Sequence, residues 1–457
     1  MFASASRLDL GIFVGPEKPV QIDTILSSPW PILIDYKCMY EDITGIALWR
    51  LRTVLMYHHD RVRKIFFDGT RHNFDNFFKA TNNAFPLLES LSLRFRDDYE
   101  PKIPDIFIRG PDLSDLHLRR LSLHGGASLA SISGLLLSAT ALTDLFLLLC
   151  DTAFGSSSEA TLLTCLQGMP CLRSFHLIIP SPRPLDSTSR PSTTKDIVLL
   201  PKLTCFHYIG RSVLLDALVA GLSAPSLQDV SIQFAGETLP PIVHLPRFIS
   251  EIEEHYHAVY VAILGFYFRL SLLTRSKCID CGHPHFTLGP NTLGLDTPGL
   301  DTPGLDTLCL EMSIPRETIV RQEKIMRISS ALSARFTTME ELRVTFDTTD
   351  ADVLENFIPW RKFLQQFPNI KALRTEGGKN DWIARILLQD HKGPDDDALA
   401  FLPVLEEIEL VENTLLTDES QRGPQLTAFE PFISARQQAD RPVKVFFGPS
   451  RTSDCCG

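Results

Sequence analysis

The chain lacks a long apolar run. Its longest, AVYVAILGFYF from Ala258 to Phe268, stops at Arg269, short of the ~20 residues a membrane-spanning helix needs. It also lacks a basic N-terminal region leading into an apolar one, so MFASASRLDLGIFVGPEK does not read as a secretory leader. Asn-x-Ser/Thr sequons are absent, and ten cysteines scattered over 457 residues make no dense framework. Both features point to a reducing compartment, the cytosol or the nucleus. Positive charge is in deficit. A net charge of -11 argues against a nucleic acid or a membrane as the main partner, since either would want a concentrated basic face.

Signatures of chemistry are missing too. No G-x-S-x-G elbow, G-x-x-x-x-G-K-[ST] loop or G-x-G-x-x-G turn occurs, so no enzyme activity and no cofactor is expected. CIDCGHPH brings Cys278, Cys281, His283 and His285 within eight residues. A C-x-x-C with nearby histidines is how many zinc sites begin, but the second pair follows too closely for a standard finger. These four residues are a weak metal candidate, and a solvated loop is expected there. His255 and His257 in EEHYH stand two apart and make no H-E-x-x-H helix.

What the chain does have is a recurring apolar frame. FPLLESLSL reads as Pro-x-Leu-x-x-Leu-x-Leu, with Pro86, Leu88, Leu91 and Leu93 at the fixed places. MPCLRSFHL, LPKLTCFHY and APSLQDVSI repeat it, and FPNIKALRT and LPVLEEIEL repeat it again later. RVRKIFF, LHLRRLSL, TALTDLFL and TMEELRVTF keep the frame without its proline. The closing apolar residues Phe67, Leu93, Leu123, Leu147, Leu177, Tyr208 and Ile232 are 24 to 31 residues apart. A leucine-rich repeat has a unit of ~20–29 residues around L-x-x-L-x-L.

The last two apolar positions of the frame are two apart and share one face of a strand. Helix-like segments lie between copies: Ser156 to Gly168 carries serines for an N-cap and Gly168 for a C-cap, and Arg211 to Leu222 reads alike. One strand and one helix cannot bury an apolar face alone, so neighbours must stack. The expected fold is α/β: a leucine-rich-repeat-like solenoid, or horseshoe. Its concave side would be a parallel sheet of about ten to twelve strands, with helices on the convex side. Strands are expected to centre on Phe66, Ser92, Ser122, Phe146, His176, His207, Ser231, Cys309, Thr345 and Glu409.

The frame, with SSPWPILIDYKC, HHDRVRKIFFDG, FPLLESLSLRF and EIEEHYHAVYVAI, resembles the fungal F-box/leucine-rich-repeat-like proteins over roughly Ser27 to Gly448. That resemblance implies repeats that hold a substrate for a cullin-RING ubiquitin ligase, behind a short helical F-box that docks on the ligase adaptor. MFASASRLDLGIFVGPEKPVQIDTILSS lacks the Leu-Pro-led helical run of an F-box, so docking on the adaptor is not expected. The function expected is protein–protein interaction, either of this substrate-recognition kind or as a scaffold unrelated to ubiquitin; a hydrolase or transferase grafted on the repeat fold is the remaining alternative, and no site in the sequence speaks for it.

The expected organisation is an N-terminal segment at residues 1–26, a repeat domain at 27–448 and a tail at 449–457. An irregular insertion is expected at about 277–304, where GLDTP, GLDTP and GLDTL follow one another. A further loop is expected at Pro180 to Asp196. One strand is expected around Val259 and Val261, and another near Leu270.

If the apolar pair of each strand points into the core, the residues between and beside it form the opposite, concave face. Toward the N-terminus these are Lys64, Arg94, Arg120 and His124. Asp144, His176, His207 and Asp229 follow, and then Arg343, Arg374, Glu407 and Glu409. A row running from basic to acidic suits a protein or peptide ligand of complementary charge.

Overall fold

A computed structural model describes residues 31–37, 45–80, 85–96, 117–125, 128–149, 158–179, 197–234, 243–251, 258–264, 267–273, 307–313, 326, 330, 332–333, 335–347, 358–376, 380–388, 402–411 and 422–448. The N-terminal segment at 1–26, the loop at Pro180 to Asp196, the insertion at about 277–304 and the tail at 449–457 all lie outside these residues. The chain divides into two compact units, Met1–Leu227 and Gln228–Gly457.

In the first unit, seven strands pair in the order of the chain, all parallel. They are β1 (Ile32–Lys37), β2 (Val62–Gly69), β3 (Ser90–Phe95), β4 (Arg120–His124), β5 (Asp144–Leu148), β6 (Ser174–Ile178) and β8 (Cys205–Gly210). Two short strands, β7 (Val198–Leu199) and β9 (Leu222–Ser223), pair separately. The helices are α1 (Gly45–Tyr57), α2 (Arg71–Ala80), α3 (Leu129–Ser138), α4 (Ser158–Gln167) and α5 (Ser212–Ala220). The two helices expected from sequence are α4 and α5.

Alternation decides which side is core. Leu91 and Leu93, Leu121 and Leu123, Leu145 and Leu147, Phe175 and Leu177, and Phe206 and Tyr208 are all buried, while the residues between them are only half-buried. Each such side chain removed from water stabilises by about 1.5–3 kcal/mol. The helices add Leu135 and Leu136, Leu162 and Leu166, and Leu215 and Val219 to the core.

The proline of the frame has a sharper role than ending a helix. Leu88 N donates to Phe85 O, Leu172 N to Met169 O, Leu203 N to Leu200 O and Leu227 N to Ala224 O, each closing a four-residue turn. Pro86, Pro170, Pro201 and Pro225 occupy the second place of those turns, where a fixed φ is already right and no N–H is needed. Both apolar ends of each turn are buried. Ala139–Leu142 makes the same turn without proline, so the buried ends and the closing bond define it.

Immediately after the turns that end at Leu142, Leu172 and Leu203, one carbonyl of the preceding repeat accepts two successive amides. Thr143 and Asp144 both donate to Arg119 O, Arg173 and Ser174 to Thr143 O, and Thr204 and Cys205 to Arg173 O. With Arg119 and Arg120 both on Glu89 O, β4, β5, β6 and β8 are thereby clamped to their neighbours at the same backbone position.

The second unit pairs its strands in the order β10, β13, β12, β11, β14, β15, β16, β17. These are β10 (Asp229–Phe234), β11 (Ala258–Leu264), β12 (Tyr267–Leu273), β13 (Thr307–Ser313), β14 (Glu341–Asp347), β15 (Ala372–Glu376), β16 (Glu407–Val411) and β17 (Lys444–Gly448). Its helices are α6 (Leu245–Ser250), α7 (Ile358–Leu364), α8 (Asn380–Leu388) and α9 (Arg422–Gln438). The same clamp recurs, with Lys371 and Ala372 on Glu340 O, and Glu406 and Glu407 on Lys371 O.

One expectation is corrected here. The sheet of the second unit is not wholly parallel, because β12 runs antiparallel to both β11 and β13. Only residues 265 and 266 separate β11 from β12, and a parallel crossover needs a dozen or more. Two strands so close in sequence must form a hairpin. The strand count is corrected as well: among the described residues the principal sheets of the two units hold seven and eight strands, fifteen in all, where ten to twelve were expected. All ten expected strand centres fall inside strands, and those that neighbour one another pair in parallel. Both sheets are open, and the architecture is mixed α/β.

Candidate functional site

In the first unit, the non-core face is a lattice of three rows fixed by strand register. The row nearest the strand starts is Lys64, Ser90, Arg120, Asp144, Ser174 and Cys205. Next comes Phe66, Ser92, Ser122, Phe146, His176 and His207. The third is Asp68, Arg94, His124, Leu148, Ile178 and Ile209. Lys64, Arg94, Arg120, His124, Asp144, His176 and His207 therefore share one face.

Four rings form a continuous stack across β4, β5, β6 and β8. His124 lies on Phe146 at a centroid distance of 4.5 Å, Phe146 on His176 at 5.7 Å, and His176 on His207 at 5.4 Å. Interplanar angles are 18°, 27° and 24°. Serines two residues earlier on the same strands hold two of the imidazoles: Ser122 Oγ is 2.7 Å from His124 Nε2, and Ser174 Oγ is 2.9 Å from His176 Nε2. At the matching place before His207 stands Cys205. His124 Nδ1 is buried without a hydrogen-bond partner among the described residues.

Burial dominates the protonation of all three histidines. It holds His124 down to about 4, with the Arg94 guanidinium acting in the same direction and Asp68 opposing. His207 is held at about 4 by burial and then by His176. His176 is lowered by burial, against a raising influence from Asp144. At neutral pH the stack is uncharged, so despite three histidines it is a platform of planar, hydrogen-bonding rings.

Charges on this face are mostly paired. Asp68, nearly buried, receives Arg96 Nε at 2.7 Å and Nη2 at 2.9 Å, and Arg94 Nη1 lies 4.0 Å away. Arg63 pairs with Glu89 at 2.8 Å. Lys64 and Arg120 have no ion-pair partner among the described residues. Asp144 accepts the Thr143 hydroxyl at 2.7 Å.

In the second unit, Arg343, Arg374 and Glu409 are register neighbours. Glu341 Oε1 lies 2.7 Å from Arg343 Nε and 2.9 Å from Arg374 Nε, and Glu409 Oε2 lies 2.8 Å from Arg374 Nε. Both carboxylates are buried. Glu407 is exposed at the start of β16, and Asp229 is half-buried at the start of β10. Within each unit, ion pairs therefore tie up several of the charged residues expected on this face: Arg94 with Asp68 in the first, and Arg343, Arg374 and Glu409 through Glu341 in the second. Asp68, Arg96, Ser174 and Glu341 escaped the sequence reading, and Phe146 and Ser122 were read only as strand centres. The alternation in KIFFDG placed Asp68 beside Lys64 and Phe66, and that signal was available.

Cys278, Cys281, His283 and His285 lie outside the described residues, as do His255 and His257. Among the described residues no group of three or more metal-ligating side chains occurs. No described helix is long and apolar enough to cross a membrane.

No protein-family model matches the chain, and no curated protein matches it. Among solved structures it is similar to the leucine-rich repeat-containing protein LegL7 from Legionella pneumophila, at 11% identity and a TM-score of 0.23, over 82% of this chain and 87% of that one. The fold described above rests on its own strand pairing and not on this likeness.

Proposed function

We propose that the chain is a non-enzymatic protein-binding module of leucine-rich-repeat type, a solenoid whose non-core sheet face holds the partner. The observation that carries this reading is the ring stack: four half-buried planar side chains, aligned across four strands, on the side of the sheet away from the core. An ordered aromatic lattice in that place is the kind of surface that supplies contact area at low entropic cost. On this reading, and with the resemblance noted from sequence, the repeats act as the substrate-recognition half of an F-box-type protein in the cytosol or nucleus. The second reading is a repeat scaffold with no link to ubiquitin.

The test is photo-crosslinking in cells, with benzoylphenylalanine replacing Phe146 in one variant and the exposed, helix-borne Val213 in another. Partner adducts from position 146 and none from 213 are expected. Adducts only from 213 overturn the assignment of the face. Calorimetry against the ligase adaptor tests the expectation on docking: no binding is expected on either reading, and affinity of roughly micromolar or better would tie this chain directly to the ligase.

A further inference from the structure

We propose that the partner of the first unit's face is an extended, acidic peptide segment of another protein. This rests on the reading of that face as protein-binding and adds the chemistry of what it takes.

Charge is the first argument. Lys64 and Arg120 sit in one row, two strands and so roughly 10 Å apart. Neither has a carboxylate partner among the described residues, whereas Arg63, Arg94 and Arg96 each have one. Arg120 is exposed and Lys64 half-buried. Asp144, next to Arg120 in the row, is held by the Thr143 hydroxyl. Lys64, Arg94, Arg96 and Arg120 stand against Asp68 and Asp144 on this face, and that surplus of positive charge calls for acid from outside.

Orientation is the second argument. The rings lie face against face, so a ligand meets their edges. The Ser122 and Ser174 hydroxyls, each with hydrogen-bonding capacity beyond its imidazole, offer bonds of the kind a peptide main chain takes up. Behind them, Leu148, Ile178 and Ile209 form a half-buried apolar ledge. On the diagonal from β4 to β6, the surface passes from the Arg120 cation to the Phe146 ring edge to the Ile178 ledge, which matches a segment carrying acidic and apolar side chains on alternate sides. Single-stranded nucleic acid also brings negative charge, but its bases stack on open ring faces, and here those faces are occupied by neighbouring rings.

The experiment selects binders to the immobilised full chain from a random displayed peptide library. Synthetic copies of the enriched peptides are then measured by fluorescence anisotropy. The native chain is compared with Phe146→Asp, with Lys64→Glu plus Arg120→Glu, and with the milder Lys64→Gln plus Arg120→Gln; melting curves confirm that each folds. We expect peptides rich in Asp and Glu that bind at least about tenfold more weakly to either charge variant. Exchanging their acids for lysine is expected to restore binding to the Lys64→Glu/Arg120→Glu chain. Peptides that depend on Phe146 yet carry no excess of acid, or bind both charge variants unchanged, overturn this inference and leave the face a protein-binding one. If no enriched peptide is sensitive to any variant, both readings fall. Tighter binding of oligothymidylate than of any peptide overturns the inference in favour of nucleic acid.

Discussion

Arg436, within α9, donates from Nη2 to the carbonyl of Leu405 at 2.8 Å while only 1% exposed. The same guanidinium reaches Leu402 O and Pro403 O at 3.4 Å. It thus gathers the carbonyls of the turn that opens β16, where Leu402 has φ 47. Burial lowers its pKa, and Arg441 lowers it further.

Replacing Arg436 by Met keeps the volume and strips those carbonyls of their donors. Each buried acceptor left bare costs about 1–3 kcal/mol, so a loss of roughly 2–4 kcal/mol in urea unfolding is expected. Full native stability in this variant would show that water, not Arg436, satisfies the turn.

Stability should fall on mild acidification. The folded values of His124 and His207 lie near 4, below the ordinary 6.5. Between those two pH values the unfolded chain binds more protons than the folded one, so stability is full above about 6.5 and drains as pH falls toward 4. Each ring contributes at most roughly 3 kcal/mol. His124→Gln with His207→Gln should flatten the thermal melting temperature across that window; an unchanged slope would place the proton uptake elsewhere.

Gly125 follows β4 with φ +94, and a Cβ there would run into the carbonyl oxygen of Phe95. Gly125→Ala is expected to cost more than about 1 kcal/mol by chemical denaturation. A neutral result would mean that the chain can leave the left-handed region at this point.

Glu341→Gln leaves Arg343 and Arg374 side by side with one carboxylate fewer. The arginines keep some contact with water, so the loss is expected below that of a fully buried pair, about 1–3 kcal/mol. A double-mutant cycle with Arg343→Met measures the coupling, and a value near zero would show the pair to be incidental.

Much of this fold was legible because strand faces follow a period of two. Leu91 and Leu93, or Phe206 and Tyr208, mark a buried side without any knowledge of neighbours, and Lys64, Arg120 and His176 fall on the other side by default. The hairpin was legible too, since Gly265 and Phe266 leave no room for a crossover, but the strength of the repeat pattern on either side masked it. The ion pairs were not legible. Arg96 meets Asp68 from 28 residues away, about one repeat, and which acid a given arginine meets depends on a register that composition does not reveal. Three rings of the stack were visible: His124, His176 and His207 were placed on the face, but Phe146 was read only as the centre of its strand.

The carbonyl clamp after each turn has a consequence for how such a chain changes length. Because Thr143, Arg173 and their equivalents lock a repeat to the last just ahead of β4, β5, β6, β8, β15 and β16, those strands are indexed from that point and not from the residues elapsed since the previous one. Repeats of 24 and 31 residues therefore deliver side chains to the same grid, and surplus residues are shunted to where the chain leaves the strand. Insertions there are silent at the lattice, while a single residue added between turn and strand start would rotate a whole column of the grid out of view.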